Sequence, residues 1–100
     1  MTHDFHPDAR KEYLDAVVWH EKNRLGSGEQ FIAEVEGAIG IILSDPGRFQ
    51  RVGDEIRIFR LRRFPYYLYY ESFSDSEHIR IYAIAHNRRK PDYWLYRLRR

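Results

Sequence analysis

There is no cysteine in this chain of 100 residues, so disulfide frameworks and every cysteine-based metal site or nucleophile are excluded. Lysine is scarce beyond residue 50: Lys90 is the sole one there, so no multi-lysine site can be assembled in that half. No apolar run approaches the length of a membrane span, and "MTHDFHPDAR" has no signal-peptide core, which leads to the expectation of a cytoplasmic protein without membrane contact. Neither a phosphate-cradling glycine loop nor a serine-nucleophile motif occurs. His3 and His6 are close in sequence but imply no third ligand, and His20 and His78 fall in separate elements. No metal site and no cofactor are therefore expected.

What is present is a chain of 43% hydrophobic residues without low-complexity tracts, which points to one globular domain over residues 1–100. Its formal charge of +2 hides an asymmetry. Residues 1–50 carry 5 Lys/Arg against 9 Asp/Glu, a balance of −4; residues 51–100 carry 12 against 6, a balance of +6. Eleven of those twelve cations are arginine, whose planar fork grips phosphate or carboxylate through two bonds at once. A solvated basic face would have the same composition. The alternative is a half of the chain built to meet an anionic partner, either nucleic acid or an acidic protein segment.

Two helices are expected first. Pro7 suits a first turn, and Tyr13, Ala16, Val17 and His20 recur at helical spacing, with Leu14 and Val18 widening the stripe. "LGSGE" ends the first helix, with Gly26 as its C-terminal cap and Ser27 with Gln30 as a capping box for the second helix. There Phe31, Ile32, Val35, Ala38, Ile39 and Ile42 share one side. Gly37 and Gly40 each cost about 1 kcal/mol relative to alanine, which marks them as sites of close packing against a neighbour. The short link makes the helices an antiparallel hairpin.

After Pro46 the period changes to two. "EIRIFRLRR", "YYLYYE" and "HIRIYAIAH" read as three antiparallel strands, and "MTHDFHP" as a short extra strand at an edge. The expected class is α+β: an N-terminal antiparallel helix hairpin on one face of a small, mainly antiparallel three- to four-stranded sheet. In the Tyr66 strand, Tyr66, Leu68 and Tyr70 face one way and Tyr67, Tyr69 and Glu71 the other. In the next, Ile79, Ile81, Ala83 and Ala85 are expected under the helices, leaving Arg80, Tyr82, Ile84 and His86 on the open side. An exposed face of tyrosine and arginine would suit stacked bases and phosphates, or a partner peptide. A homodimer contact or the chain's own C-terminal tail could equally cover it. Trp94 and Leu98 are expected to pack on the sheet, and Arg99 and Arg100 to form a frayed end.

The segments "RRFPYYLYYES" and "IYAIAHNRRKPDYW" resemble the RelE/ParE superfamily of toxins from bacterial type II toxin–antitoxin modules. Phe64, Pro65, Tyr66, Leu68, Tyr69 and Tyr70 carry the first half of the likeness. Ala83, Ala85, His86, Arg88, Arg89, Pro91, Tyr93 and Trp94 carry the second. "HPDARKEYLDAVVWHE" and "GEQFIAEVEGAI" look like the family's two helices, so the likeness spans nearly the whole chain. It implies a toxin neutralised by a cognate antitoxin, reaching operator DNA only through that partner. RelE-like members cleave messenger RNA on the ribosome without a metal, whereas ParE-like members poison DNA gyrase and are not nucleases.

RNA cleavage needs a proton carrier and cations around the phosphorane. His86, at the end of the last strand, is the candidate acid or base, with Arg57 and Arg88 as phosphate ligands. Tyr93 occupies a region that RelE-like enzymes use, and joins the candidate catalytic set on that resemblance. Arg60, Tyr67, Tyr69, Arg80, Tyr82 and Arg89 are the candidate nucleic-acid or partner-binding residues. Each has a structural alternative: His86 capping its strand, Arg88 to Lys90 forming a solvated turn. The His86, Arg88, Arg89 and Tyr93 grouping favours the ribosome-dependent endonuclease. The arginine-only basic set and the long helix hairpin favour the gyrase poison. On balance the ribosome-dependent endonuclease is the expected activity, with the gyrase poison as the alternative and a non-toxic co-repressor bound to antitoxin as a third reading.

Overall fold

A computed structural model of the chain describes residues 1–99, with the side chain of Arg99 left out. The expected frayed end at Arg100 lies outside the described residues, as does the Arg99 side chain. The elements run β1 (Thr2–Phe5), α1 (Pro7–Asn23), α2 (Ser27–Ser44), β2 (Ile56–Arg60), β3 (Tyr66–Phe73) and β4 (His78–His86), closed by a 3-10 helix at Leu95–Arg99. The sheet order is β1-β4-β3-β2, with β1 parallel to β4 and the other pairs antiparallel. The "MTHDFHP" strand thus exists, at one edge. The helix hairpin then carries the chain from β1 to the opposite edge at β2.

The turn before α1 is capped by an imidazole: His6 Nδ1 accepts the Asp8 N–H at 3.0 Å, and Pro7 follows it in the first helical turn. The capping box expected of Ser27 and Gln30 does not form. Instead Glu21 reaches across from α1 and accepts from the N–H groups of Gly26 and Gly28, each at 3.0 Å. Gly26 itself sits at φ +87°, a left-handed conformation that costs glycine nothing. A carboxylate at the N-terminus of α2 also complements the helix dipole.

One core lies between the hairpin and the sheet. Phe31, Val35, Ala38, Ile39 and Ile42 of α2 meet Leu68 and Tyr70 of β3 and Ile79 and Ile81 of β4 there. From α1, Ala9 and Ala16 are buried, but Leu14 and Val18 are 51% and 52% exposed, so the widened stripe expected for α1 is on the surface. Ile32 of α2 is likewise partly exposed. Gly37 and Gly40 do not serve internal packing, since a Cβ at either would meet nothing within 4 Å.

The strand alternation holds through Ile81 and then breaks. The β3–β4 register shifts between Tyr69 and Tyr70: Tyr70 pairs with Ile81, Tyr69 with Ala83, and Tyr82 is left over as a bulge. One extra residue reverses the facing of everything beyond it. Ile84 therefore joins the core under the helices, while Ala83 and Ala85 join a second cluster on the other face. This overturns the expected placement of Ala83, Ala85, Ile84 and His86.

Candidate functional site

The second face of the sheet is not open. Tyr69 and Tyr82 are 4% exposed, and Trp94 lies over Tyr69 with ring centroids 4.7 Å apart. The chain's own C-terminal segment is the cover, so Tyr69 and Tyr82 do not form an exposed platform. Leu98 only flanks it and is partly exposed.

What holds that segment is a buried ion pair. The Arg97 guanidinium, 4% exposed, donates to both Glu12 oxygens at 2.9 and 2.8 Å and to the Tyr82 carbonyl at 2.8 Å. The Tyr93 hydroxyl donates to Glu12 Oε2 at 2.6 Å, and the Ile84 N–H donates to Glu12 Oε1 at 3.1 Å. Burial, and then the bond and charge of Glu12, push the Tyr93 phenol well above its ordinary range. Its proton is committed to Glu12. Arg89 stacks on the same ring, with its Cζ 3.9 Å from the centroid. Glu12 and Arg97 were not singled out from sequence, and no local pattern distinguishes them from surface charges 85 residues apart.

A groove of about 840 Å³ remains beside the C-terminal segment, with Ile58, Tyr67 and Tyr69 on its floor and Trp94 on its wall. Arg60 stacks on Tyr67 at 5.5 Å and is the one cation among the described residues of the lining, against the carboxylates of Asp54, Glu55, Glu71 and Asp92. Tyr82 donates to Glu71 at 3.1 Å. Arg80 faces this side at the far edge, where both its Nε and Nη2 bind Asp4 at 3.0 Å. That bond, against the cost of burial and with help from His78, holds the Asp4 carboxyl below its usual range.

The remaining candidates lie elsewhere. Arg57 is on the helix side of β2, donating to the Phe49 carbonyl at 2.7 Å. His86 is also on the helix side, carried there by the bulge, with its ring 5.2 Å from Tyr66. The Arg88 N–H donates to His86 Nδ1 at 3.1 Å, which leaves Nε2 to carry the proton when the ring is neutral. So His86 does close the strand end through backbone. Next to it is a histidine that local sequence could not bring there. His20 of α1 stacks on Phe31 at 5.0 Å, and its Nε2 lies 3.2 Å from the Tyr66 hydroxyl. Burial, and secondarily the neighbouring His86, lower the His20 pKa from its ordinary value. The structure thus joins His86 with His20 and Tyr66, and joins Tyr93 with Arg89. It does not bring His86, Arg57 and Tyr93 to one point. Among the described residues no group of three or more His, Asp or Glu side chains is placed to hold a metal ion.

No curated protein matches the chain. A family model described as the ParE toxin of the type II toxin–antitoxin system parDE matches residues 4–91. Among solved structures, a chain of the chromosomal ParDE toxin–antitoxin system from P. aeruginosa is 17% identical with a TM-score of 0.60, covering 86% of this chain and 95% of that one. The isolated E. coli RelE toxin is 19% identical with a TM-score of 0.63, covering 98% of this chain and 96% of that one. At such identities the two structures speak for the fold. The family match runs through both helices and strands β2 to β4, and on that ground the chain belongs to the ParE toxin family of type II toxin–antitoxin systems, within the RelE/ParE superfamily.

Proposed function

We propose that this toxin acts by binding its target rather than by cleaving RNA, and that the target is DNA gyrase, as the ParE-like resemblance implies. The observation that carries this is the character of the groove on the second sheet face. Among the described residues its lining sets the carboxylates of Asp54, Glu55, Glu71 and Asp92 against Arg60, a surplus of negative charge that disfavours a phosphate backbone. The side chains expected to work there have other partners: Tyr93 is bonded to Glu12, and Arg80 to Asp4. A nuclease needs its acid, base and cations within hydrogen-bond reach of one phosphate.

One observation favours the endonuclease reading. His86 and His20 flank Tyr66, and two imidazoles of differing environment could divide the roles of base and acid. In that reading His86 and His20 move the protons, and Arg88 neutralises charge from the adjoining turn.

The deciding experiment pairs two measurements. Purified toxin is added to a gyrase supercoiling assay, and messenger RNA 5′ ends are mapped within minutes of induction for the wild type and for His86→Ala. Inhibited supercoiling with intact messages, and toxicity retained in His86→Ala, is the expected result. New 5′ ends at codon positions that vanish in the variant would overturn it in favour of the ribosome-dependent endonuclease.

A further inference from the structure

We propose that the toxin grips the phosphate backbone of duplex DNA with one end of its fold, where the turn between β2 and β3 meets the turn that follows β4. This rests on the reading that it acts on gyrase, an enzyme that holds duplex DNA. The two turns are distant in sequence and adjacent in the fold. Tyr66, at the start of β3, pairs with His86 at the end of β4, and the Asn87 N–H donates to the Pro65 carbonyl at 2.7 Å. The first turn brings Arg62 and Arg63, and the second brings Arg88, Arg89 and Lys90, all of them exposed.

The charge of these turns is unopposed. No carboxylate occurs from Ile56 to Tyr70 or from His78 to Pro91. Glu34 of α2 does reach the first turn, but there it accepts from the backbone N–H groups of Arg62 and Arg63. Asp92 follows the second turn and lines the groove on the second sheet face. Among the described residues, none of the five cations has an ion-pair partner. Holding like charges together costs the free protein self-repulsion, which a polyanion relieves. Arg89 is already fixed on the Tyr93 ring, with its Cζ 3.9 Å from the centroid, so meeting a phosphate costs it little further side-chain freedom.

Duplex suits this surface better than a single strand. Single strands are held by bases stacked on exposed rings. The rings carried by these turns and by the strand they open are engaged within the chain. Phe64 packs edge-on against Phe31 at 5.1 Å, and Tyr66 is half-buried between His20 and His86. Tyr93, just beyond the second turn, lies under Arg89. What remains is a set of guanidinium forks and one ammonium, which match phosphate oxygens and carry no base readout. The grip is therefore indifferent to sequence.

The test is fluorescence anisotropy of the full-length toxin with a labelled duplex of about 20 base pairs over a range of salt concentrations. The wild type should bind with a slope of about −3 to −4 in log affinity against log salt. Arg62→Ser/Arg63→Ser and Arg88→Ser/Lys90→Ser should each weaken binding roughly tenfold at about 50 mM salt and flatten the slope by up to about 2. Arg48→Ser/Arg51→Ser removes the same formal charge from the loop between α2 and β2 and should bind as the wild type does. Circular dichroism melts check each fold. No binding by the wild type, or an equal loss in the Arg48/Arg51 pair, would overturn the site. Tighter binding of a single-stranded RNA of the same length would overturn the duplex assignment. A supercoiling assay run alongside separates this proposal from the reading it rests on. Inhibition by a wild type that does not bind DNA would remove the grip and leave gyrase as the target. DNA binding without inhibition would uphold the grip and overturn gyrase as its setting.

Discussion

Glu12 is where helix, sheet and C-terminal segment meet, because its two oxygens receive Arg97, Tyr93 and the Ile84 N–H. Arg97→Met would leave that carboxylate half-buried without its countercharge, which costs about 3–5 kcal/mol. Adding Glu12→Gln removes the stranded charge, so the double variant should recover part of the loss. Urea denaturation of the two single variants and the double gives the coupling directly. Equal stability of Arg97→Met and wild type would mean that Trp94, not the ion pair, holds the segment down. The same bonds explain why Tyr93 looked like a reactive residue in the sequence. A tyrosine among arginines near the C-terminus has the same letters whether its hydroxyl faces a phosphate or a buried carboxylate.

Both helices were legible from spacing, because a 3.6-residue period in apolar residues is a local property. The connection between them was less so. Gly26 was read as the C-terminal cap of α1, whereas Arg24 is the C-cap of α1 and Gly26 the N-cap of α2, and the carboxylate that caps α2 comes from Glu21 in the preceding helix. Glycine roles inverted as well. Gly28→Ala would set a Cβ 3.0 Å from the Val17 carbonyl oxygen and from Glu21 Cβ, and should destabilise by about 1–3 kcal/mol. Gly37→Ala places a methyl in open space and should stabilise the free toxin by about 0.5–1 kcal/mol. Parallel urea titrations check both signs. The strands were legible to the same degree as the helices, up to the bulge at Tyr82. A bulge has no sequence signature here, since "RIYAIAH" alternates acceptably in either register.

Acid should weaken this toxin in two stages, because the unfolded chain takes up more protons than the native one in two separate pH windows. His20 has its pKa lowered below 6.5 by burial and by His86. The unfolded chain then binds more protons in the window just under 6.5, and stability falls as pH drops through it. Asp4 is held below 3.8, chiefly by its bond to Arg80, so its contribution is present above 3.8 and is lost as pH falls through the lower, folded value. His20→Gln should abolish the first stage, and Asp4→Asn should shrink the second. Urea midpoints measured from pH 7.5 down to pH 2.5 resolve the two. An unchanged upper stage in His20→Gln would assign it to another histidine. The Asp4 stage rests on its ion pair with Arg80 and the His20 stage chiefly on burial, so added salt should reduce the Asp4 stage more than the His20 one.

From the sequence alone came the fold class, the helix hairpin, the strand segments and the toxin superfamily. Periodicity, turn residues and the "FPYYLYY" and "AIAHNRRKPDYW" motifs are short-range features that survive without coordinates. The tertiary structure decided which way His86 points, what lies over the tyrosines, and which arginines remain free. Each of those depends on a contact between distant residues or on one extra residue in a strand. His20 and His86 are 66 positions apart, and Glu12 and Arg97 are 85 apart, so their pairing becomes visible only when the chain has closed on itself.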